Sequence, residues 1–254
     1  MRTFSRRQFL GLSLLALPTA AGIDGRFTEP TWLRITQLDL YPQPTNRFVH
    51  FSDLHYKGDA EYATKVVRTI NALEPEFVCF TGDLVEDASF APAALDFIRQ
   101  IERPVYACPG NWDYVSRADL REYEKAFRAT GGAWLEDRSC VLEKKNIELI
   151  GMGLRGAQAL GEPQAVRRIL LVHYPTQADR LDGRRYDLIL AGHSHGGQVR
   201  VPFFGALVVP YGVGQYDFGR FESPGGPLYV NAGIGTYMLP LRFNCRPEIT
   251  VVRI

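Results

Sequence analysis

Seven side chains of types that hold divalent metal ions stand just after apolar runs: Asp53, His55, Asp83, Asn111, His173, His193 and His195. They stand in five short stretches, Asp53-Leu54-His55, Gly82-Asp83, Gly110-Asn111, His173, and Gly192-His193-Ser194-His195-Gly196-Gly197. Two carboxylates, four imidazoles and one amide oxygen suit Mn, Fe or Zn, and the set lacks the thiolates of a structural zinc site. Taken singly, an Asp after a strand is ordinarily a turn former and a His a satisfied core group; the weight comes from recurrence. The fifth histidine, His50, lies inside an apolar run three residues before Asp53 and reads as core.

Each stretch follows an apolar run of strand length, at residues 47–51, 77–81, 105–108, 169–172 and 186–190. In open α/β sheets the strand C-termini share one rim, where sites are kept, so the seven groups are expected to meet there. Asp53 and His55 are two residues apart and point to one side if extended geometry continues beyond the strand. Apolar residues at 63, 66, 67, 70 and 73 have helical spacing, and a second helix is expected over 91–101. Ser116-Arg117-Ala118-Asp119 reads as a capping box for a helix to about Ala129, stopped by Gly131-Gly132. Residues 32–41 alternate as a half-buried edge strand does, and short strands without long helices follow from 134 onward. The pattern predicts two packed sheets flanked by helices in one domain.

The chain has 254 residues, 46% hydrophobic and 22% charged, with a formal net charge of +1. Nothing in this composition suggests disorder, and the absence of a long basic run gives no nucleic-acid footprint. Cys79, Cys108, Cys140 and Cys245 form no CxxC pair and are expected as free thiols. Ser5-Arg6-Arg7-Gln8-Phe9-Leu10, the apolar run 12–17 and Pro18-Thr19-Ala20-Ala21-Gly22 follow the order of an export signal, and the paired arginines resemble the twin-arginine type. The apolar run falls well short of the ~20 residues that a membrane span needs. The expected division is therefore 1–21 as signal, 22–46 as an extension with an edge strand, and 47–254 as the catalytic domain. The twin-arginine translocation machinery would then be a partner, and the destination the periplasm or the outer face of the inner membrane. The alternative is membrane association on the cytoplasmic side.

In their order, the five stretches resemble the signature of the calcineurin-like metallophosphoesterases, over about residues 47–254. His193-Ser194-His195-Gly196-Gly197-Gln198-Val199 and the segment from Leu239 to Glu248 are most similar to a bacterial envelope branch. That branch includes phosphodiesterases and UDP-2,3-diacylglucosamine pyrophosphohydrolases of lipid A synthesis. The resemblance implies a four-layer αββα sandwich of two mixed β-sheets flanked by helices, and two divalent metal ions, Mn, Fe or Zn. It assigns Asp53, His55 and His195 to one ion, Asn111, His173 and His193 to the other, and Asp83 to a bridge; the catalytic candidates are Asp83, Asn111, Trp112 and His193. An anionic bridge offsets the repulsion between cations about 3.5–4 Å apart. The implied reaction is attack of a metal-bridging hydroxide on a phosphodiester or pyrophosphate, with a lipid- or envelope-linked substrate and peripheral membrane association.

One position departs from the family pattern. Trp112 stands where the family usually carries a His assigned to the leaving group or the transition state. Indole donates a hydrogen bond but no proton at pH 7. Three readings stay open: weaker leaving-group assistance, a leaving group that is already a stable anion, or a non-catalytic metal-binding scaffold. Asp113 either holds its loop or orients a ligand. Arg155, Arg200, Arg220 and Arg242 are structural or could reach a phosphate. Phe203, Phe204, Tyr211, Tyr216, Phe218 and Phe221 either pack between strands or form an apolar lip for an acyl chain.

Overall fold

The computed structural model describes residues 22, 24–155 and 162–254; the export signal expected over 1–21 lies outside them. The chain first forms β1 (Arg34–Asp39), β2 (Arg47–Phe51), α1 (Ala60–Ala72), β3 (Val78–Phe80), α2 (Ala91–Arg99), β4 (Val105–Ala107), α3 (Asn111–Val115), α4 (Leu120–Ala129) and β5 (Ala133–Trp134). These strands and the last one make one six-stranded sheet. The rest comprises β6 (Arg138–Leu142), β7 (Ile147–Gly151), β8 (Arg167–Leu171), β9 (Leu188–Ala191), the small hairpin β10 (Arg200–Val201) and β11 (Gly205–Ala206), β12 (Gly219–Ser223), β13 (Gly226–Val230) and β14 (Glu248–Arg253).

Strand order is β1-β14-β2-β3-β4-β5 in the first sheet and β12-β13-β9-β8-β7-β6 in the second. Both are mixed: β2 to β5 run parallel and β14 opposes β2, while β7, β8, β9 and β13 run parallel between antiparallel edges. The expected edge strand is β1, which pairs with β14 in parallel.

Strand alternation assigns each side chain to a layer. Along β2, Phe48 faces the second sheet, whereas Val49 and Phe51 face the helices. Ile147, Leu149, Ile169, Leu171, Leu188 and Leu190 meet Phe48, Phe77 and Cys79 between the sheets. On the outer face of the first sheet, Val66, Ile70, Leu95, Ile98 and Phe127 from α1, α2 and α4 close a second core. The outer face of the second sheet is covered more thinly, by the 3₁₀ turn Pro175–Asp179 and loops carrying Tyr186 and Tyr216. Two mixed sheets with helices are thus the observed architecture, the α-helices lying on the outer face of the first sheet and a 3₁₀ turn with loops on that of the second.

Helix α4 corrects the expected capping box. Arg117 takes a left-handed φ of 61° and turns the chain, so Asp119 caps the helix by accepting from the Arg121 N–H at 3.0 Å. The four cysteines are free thiols.

Candidate metal centre

Beyond β2 the chain keeps bonding to the β3 tip. The Asp53 N–H donates to the Gly82 carbonyl (3.0 Å) and the His55 N–H to the Asp83 carbonyl (3.1 Å). The geometry is nevertheless not extended. Asp53 has φ 53° and His55 φ 43°, and Asp83, His193 and His195 have φ 61°, 67° and 50°. Asp53 and His55 therefore converge through left-handed turns, not through the pleat expected from the sequence. A non-glycine residue in this region costs roughly 1–3 kcal/mol and persists where its surroundings enforce it. Close approach is part of that enforcement: a methyl group at Gly110 would run into the Asp83 carboxylate, and Gly82, at φ 90°, touches Gly110.

The strand ends bring the candidates into two groups, Asp53 with His55 and His195, and Asp83 with His173 and His193. Asn111 joins the second, its Oδ1 3.0 Å from His173 Nε2. Asp83 Oδ2 lies between the groups, 3.5 Å from His55 Nε2 and 3.2 Å from His173 Nε2. His195 Nε2 is 3.1 Å from His55 Nε2 and 3.5 Å from Asp53 Oδ1, and His193 Nδ1 is 3.1 Å from His173 Nε2. Ring nitrogens that crowd one another beside buried carboxylates form a donor set that fits a cation.

Neighbouring acceptors select the ligating nitrogens. A carbonyl can only accept, so the Thr81 carbonyl (2.7 Å) puts the proton of His173 on Nδ1 and leaves Nε2 for a metal. The Tyr211 carbonyl, 2.7 Å from His193 Nε2, reverses this and frees Nδ1. Glu86 Oε1, 3.0 Å from His55 Nδ1, directs Nε2 of that ring inward. His195 Nδ1 is buried without a partner.

Burial and charge divide the titrations. Burial lowers His193 to about 3, helped by the His173 charge, and drives His195 well below the ordinary range. Both rings are neutral at pH 7, the form that binds metal. Burial would also lower His173, but Asp83 and Asp53 outweigh it and raise it to about 9. Burial raises Asp53; for Asp83 the His173 and His55 charges and the Trp112 amide override burial, leaving that carboxyl lowered.

Asp113 has a definite role in the loops. Its Oδ2 accepts from the Asp83 N–H (2.9 Å) and the Gly110 N–H (2.7 Å), and its Oδ1 from the Leu84 N–H (3.0 Å), which ties the β3 tip to the β4 tip. The Trp112 N–H donates to Asp83 Oδ1 at 2.7 Å and so turns Oδ2 toward the histidines. The indole is half-buried and lies 5.7 Å from the Tyr237 ring, which in turn is 5.9 Å from His55. Sequence reasoning missed Tyr237 and Glu86, since neither falls in a metal-binding stretch.

The softer candidates separate cleanly. Arg242 is fully buried and donates to the carbonyls of Ala232, Gly233, Gly235 and Cys245. Arg200 bonds the Gly196 carbonyl and Asp217, and both are structural. Arg220 is exposed, 3.8 Å from Glu222. Arg155 is exposed and lines a cavity of about 600 Å³ beside Asn111 and Tyr174. Tyr216 is core against Phe221, and Phe218 lies under Arg34 and Arg200. Phe203, Phe204 and Tyr211 are exposed. His50 is core, its Nε2 3.0 Å from Thr81 Oγ1, with burial lowering it to about 3.

A donor set of this kind, gathered from both sheets at one rim, is a candidate metal-binding site. The chain belongs to the calcineurin-like phosphoesterase family, whose model matches residues 46–197, and it is a hydrolase of phosphoric esters. It is 30% identical to the uncharacterized metallophosphoesterase YkuE of Bacillus subtilis, over 99% of this chain and 98% of that one. It is 28% identical to phosphodiesterase YaeI of Escherichia coli, over 98% and 99%. With the UDP-2,3-diacylglucosamine pyrophosphatase LpxG of Chlamydia trachomatis it shares 26% identity over 95% of each chain.

Proposed function

We propose that the chain hydrolyses a phosphodiester or pyrophosphate in a lipid- or envelope-linked substrate, using two divalent metal ions. The observation that carries this reading is Asp83 Oδ2, within 3.5 Å of a histidine from each group. Asp53, His55 and His195 would hold one ion, Asn111, His173 and His193 the other, and Asp83 both. When bound, such a pair supplies Lewis acidity at a phosphoryl oxygen and a water of lowered pKa. The protein contributes the fixed geometry: Thr81, Tyr211 and Glu86 aim the imidazoles, and the Trp112 amide and Asp113 hold the shared carboxylate in place. The complete donor set weighs against a non-catalytic scaffold.

Trp112 bears on the substrate. Without a proton donor at this position, groups that leave as stable anions need least help, as a nucleotide or phosphate does from a pyrophosphate. The likeness to a UDP-2,3-diacylglucosamine pyrophosphatase supports that narrower reading. Trp112→His is expected to speed turnover most for esters with poorly acidic leaving groups, by up to about 10²–10⁴-fold. An equal gain for every leaving group would overturn the idea.

Metal analysis of the purified protein, followed by a screen of diester, monoester and nucleotide-sugar substrates with Mn, tests the whole proposal. Two ions per chain and diester or pyrophosphate turnover are expected, and Asp83→Asn should lose both. A fully active Asp83→Asn variant would sink the two-metal mechanism. Export by the twin-arginine pathway belongs to the same proposal. A mature N-terminus near Ala21 in the periplasmic fraction is the expected result; it would count strongly against UDP-linked precursors, which are cytoplasmic, and leave a diester or pyrophosphate of the envelope as the substrate.

A further inference from the structure

Beside the candidate centre, two loops expose apolar side chains to water. Residues 201–216 contain no charged residue and no histidine, and neither do residues 236–241. The β10–β11 turn carries Phe203 and Phe204, 107% and 86% exposed, and the segment after it carries Val208 and Tyr211, 76% and 92% exposed. Met238 and Leu239 are exposed on the second loop. An exposure above that of an isolated residue means that the ring projects from the surface without neighbours.

Both loops rim the metal groups. Gln198, three residues after His195, joins them: its Nε2 donates to the Tyr237 and Leu239 carbonyls at 3.1 and 3.3 Å, and its Oε1 accepts from the Tyr237 N–H. The Leu207 N–H donates to the Val199 carbonyl, and the Tyr211 carbonyl touches His193. The chain outside the structure enters at the same rim. The Gly25 carbonyl accepts from the Arg242 N–H at 2.9 Å, beside Leu241, and the residues leading to it include the apolar run 12–17.

We propose that the β10–β11 turn and the 236–241 loop form a membrane-docking edge that inserts into the interfacial layer of a phospholipid bilayer. Aromatic and aliphatic side chains are favoured at that depth, where apolar surface leaves water and ring edges stay near headgroups. While the signal is attached, its apolar run would add a second attachment at the same rim; after cleavage near Ala21 the edge acts alone, and its membrane binding is then reversible. Docked in this way, the metal centre would face the headgroup region, where a lipid-linked phosphoryl group resides. The docking edge stands apart from the identity of the bond that is cut, and its test reads no turnover.

The full chain is mixed with vesicles of phosphatidylcholine and phosphatidylglycerol, and bound protein is measured by co-sedimentation. Binding is expected, and the double variant Phe203→Ser/Phe204→Ser should weaken it by roughly 10-fold or more. Its melting temperature should not change, because both rings already lie in water. In a second arm, the indole introduced by Phe203→Trp should shift blue and be quenched by acyl-brominated lipid, read as the difference from wild type. The proposal is overturned if wild-type protein does not bind, if the double variant binds as tightly, or if the new indole of vesicle-bound protein stays open to aqueous iodide. It is equally overturned if the double variant only converts a dimer to a monomer, which would assign the edge to a second copy of the chain.

Discussion

Asp113 shows how much a single side chain without a metal-binding role can decide. Its two oxygens receive three backbone N–H groups at 2.7–3.0 Å, and burial and the Asp83 charge raise it to about 6. In Asp113→Asn the amide NH₂ must face a donor. Each buried group left unpaired costs about 1–3 kcal/mol, and displaced outer groups typically cost ~10–100-fold in metal affinity. We expect both losses, by thermal denaturation and Mn titration; unchanged Mn affinity would show that Asp83 is positioned without it. His173 gives a second test. Its value of about 9, against an ordinary 6.5, means that the metal-free protein carries this proton at pH 7.5. Loading must expel it, so proton release seen with a pH indicator, and an Mn affinity that rises with pH up to about 9, are expected. The same shift stabilises the metal-free fold fully below 6.5, and that contribution is lost as pH rises through about 9.

At the scale of elements, the loop leaving β13 is the least obvious support. Its Ile234 and Gly235 N–H groups donate to the Ser52 and Asp53 carbonyls, at 2.9 and 2.7 Å, and hold the left-handed turn at Asp53. Arg242 in turn satisfies the carbonyls of Ala232, Gly233 and Gly235 from a fully buried position. Replacement by Met orphans the Ala232 and Gly235 carbonyls, at about 1–3 kcal/mol each, while the Gly233 carbonyl keeps the Glu248 N–H at 3.1 Å. The expected outcome is a markedly lower melting temperature and weaker metal binding at the Asp53 group. Arg242→Lys should not restore either, because an ammonium lacks the planar fork that reaches several acceptors. Full rescue by Lys would reduce the role of Arg242 to charge alone.

For the molecule as a whole, the centre is a clamp between sheets. Asp53, His55, Asp83 and Asn111 follow strands of the first sheet, and His173, His193 and His195 follow strands of the second. Metal can engage both groups only when the sheets are packed, so binding is linked to folding. At 100 times the dissociation constant a single site stabilises by about 2.7 kcal/mol, which for a chain of this size raises the melting temperature by roughly 5–10 °C. Chelation should reverse the gain, and a melting temperature indifferent to Mn and chelator would contradict the clamp.

The strands that precede the five candidate stretches, the helices α1 and α2, and the stretches themselves could be read from the sequence, because hydrophobic period and residue type are local properties; β12 (Gly219–Ser223) could not. The core status of His50, three residues inside an apolar run, could be read as well. The left-handed backbone at Asp53 and His55 could not, since it is imposed by bonds to Gly82, Asp83 and the loop after β13, which is 182 residues further along the chain. Nor could the choice of Nδ1 on His193 and Nε2 on His173, which depends on the Tyr211 and Thr81 carbonyls that each ring happens to face. The aromatic stretch after His195 was ambiguous for the same reason. Composition makes Tyr216 and Phe203 alike, and only the packing buries the first and leaves the second projecting into water. Residue type and spacing determined which groups can bind metal, and tertiary contacts decided how each is aimed.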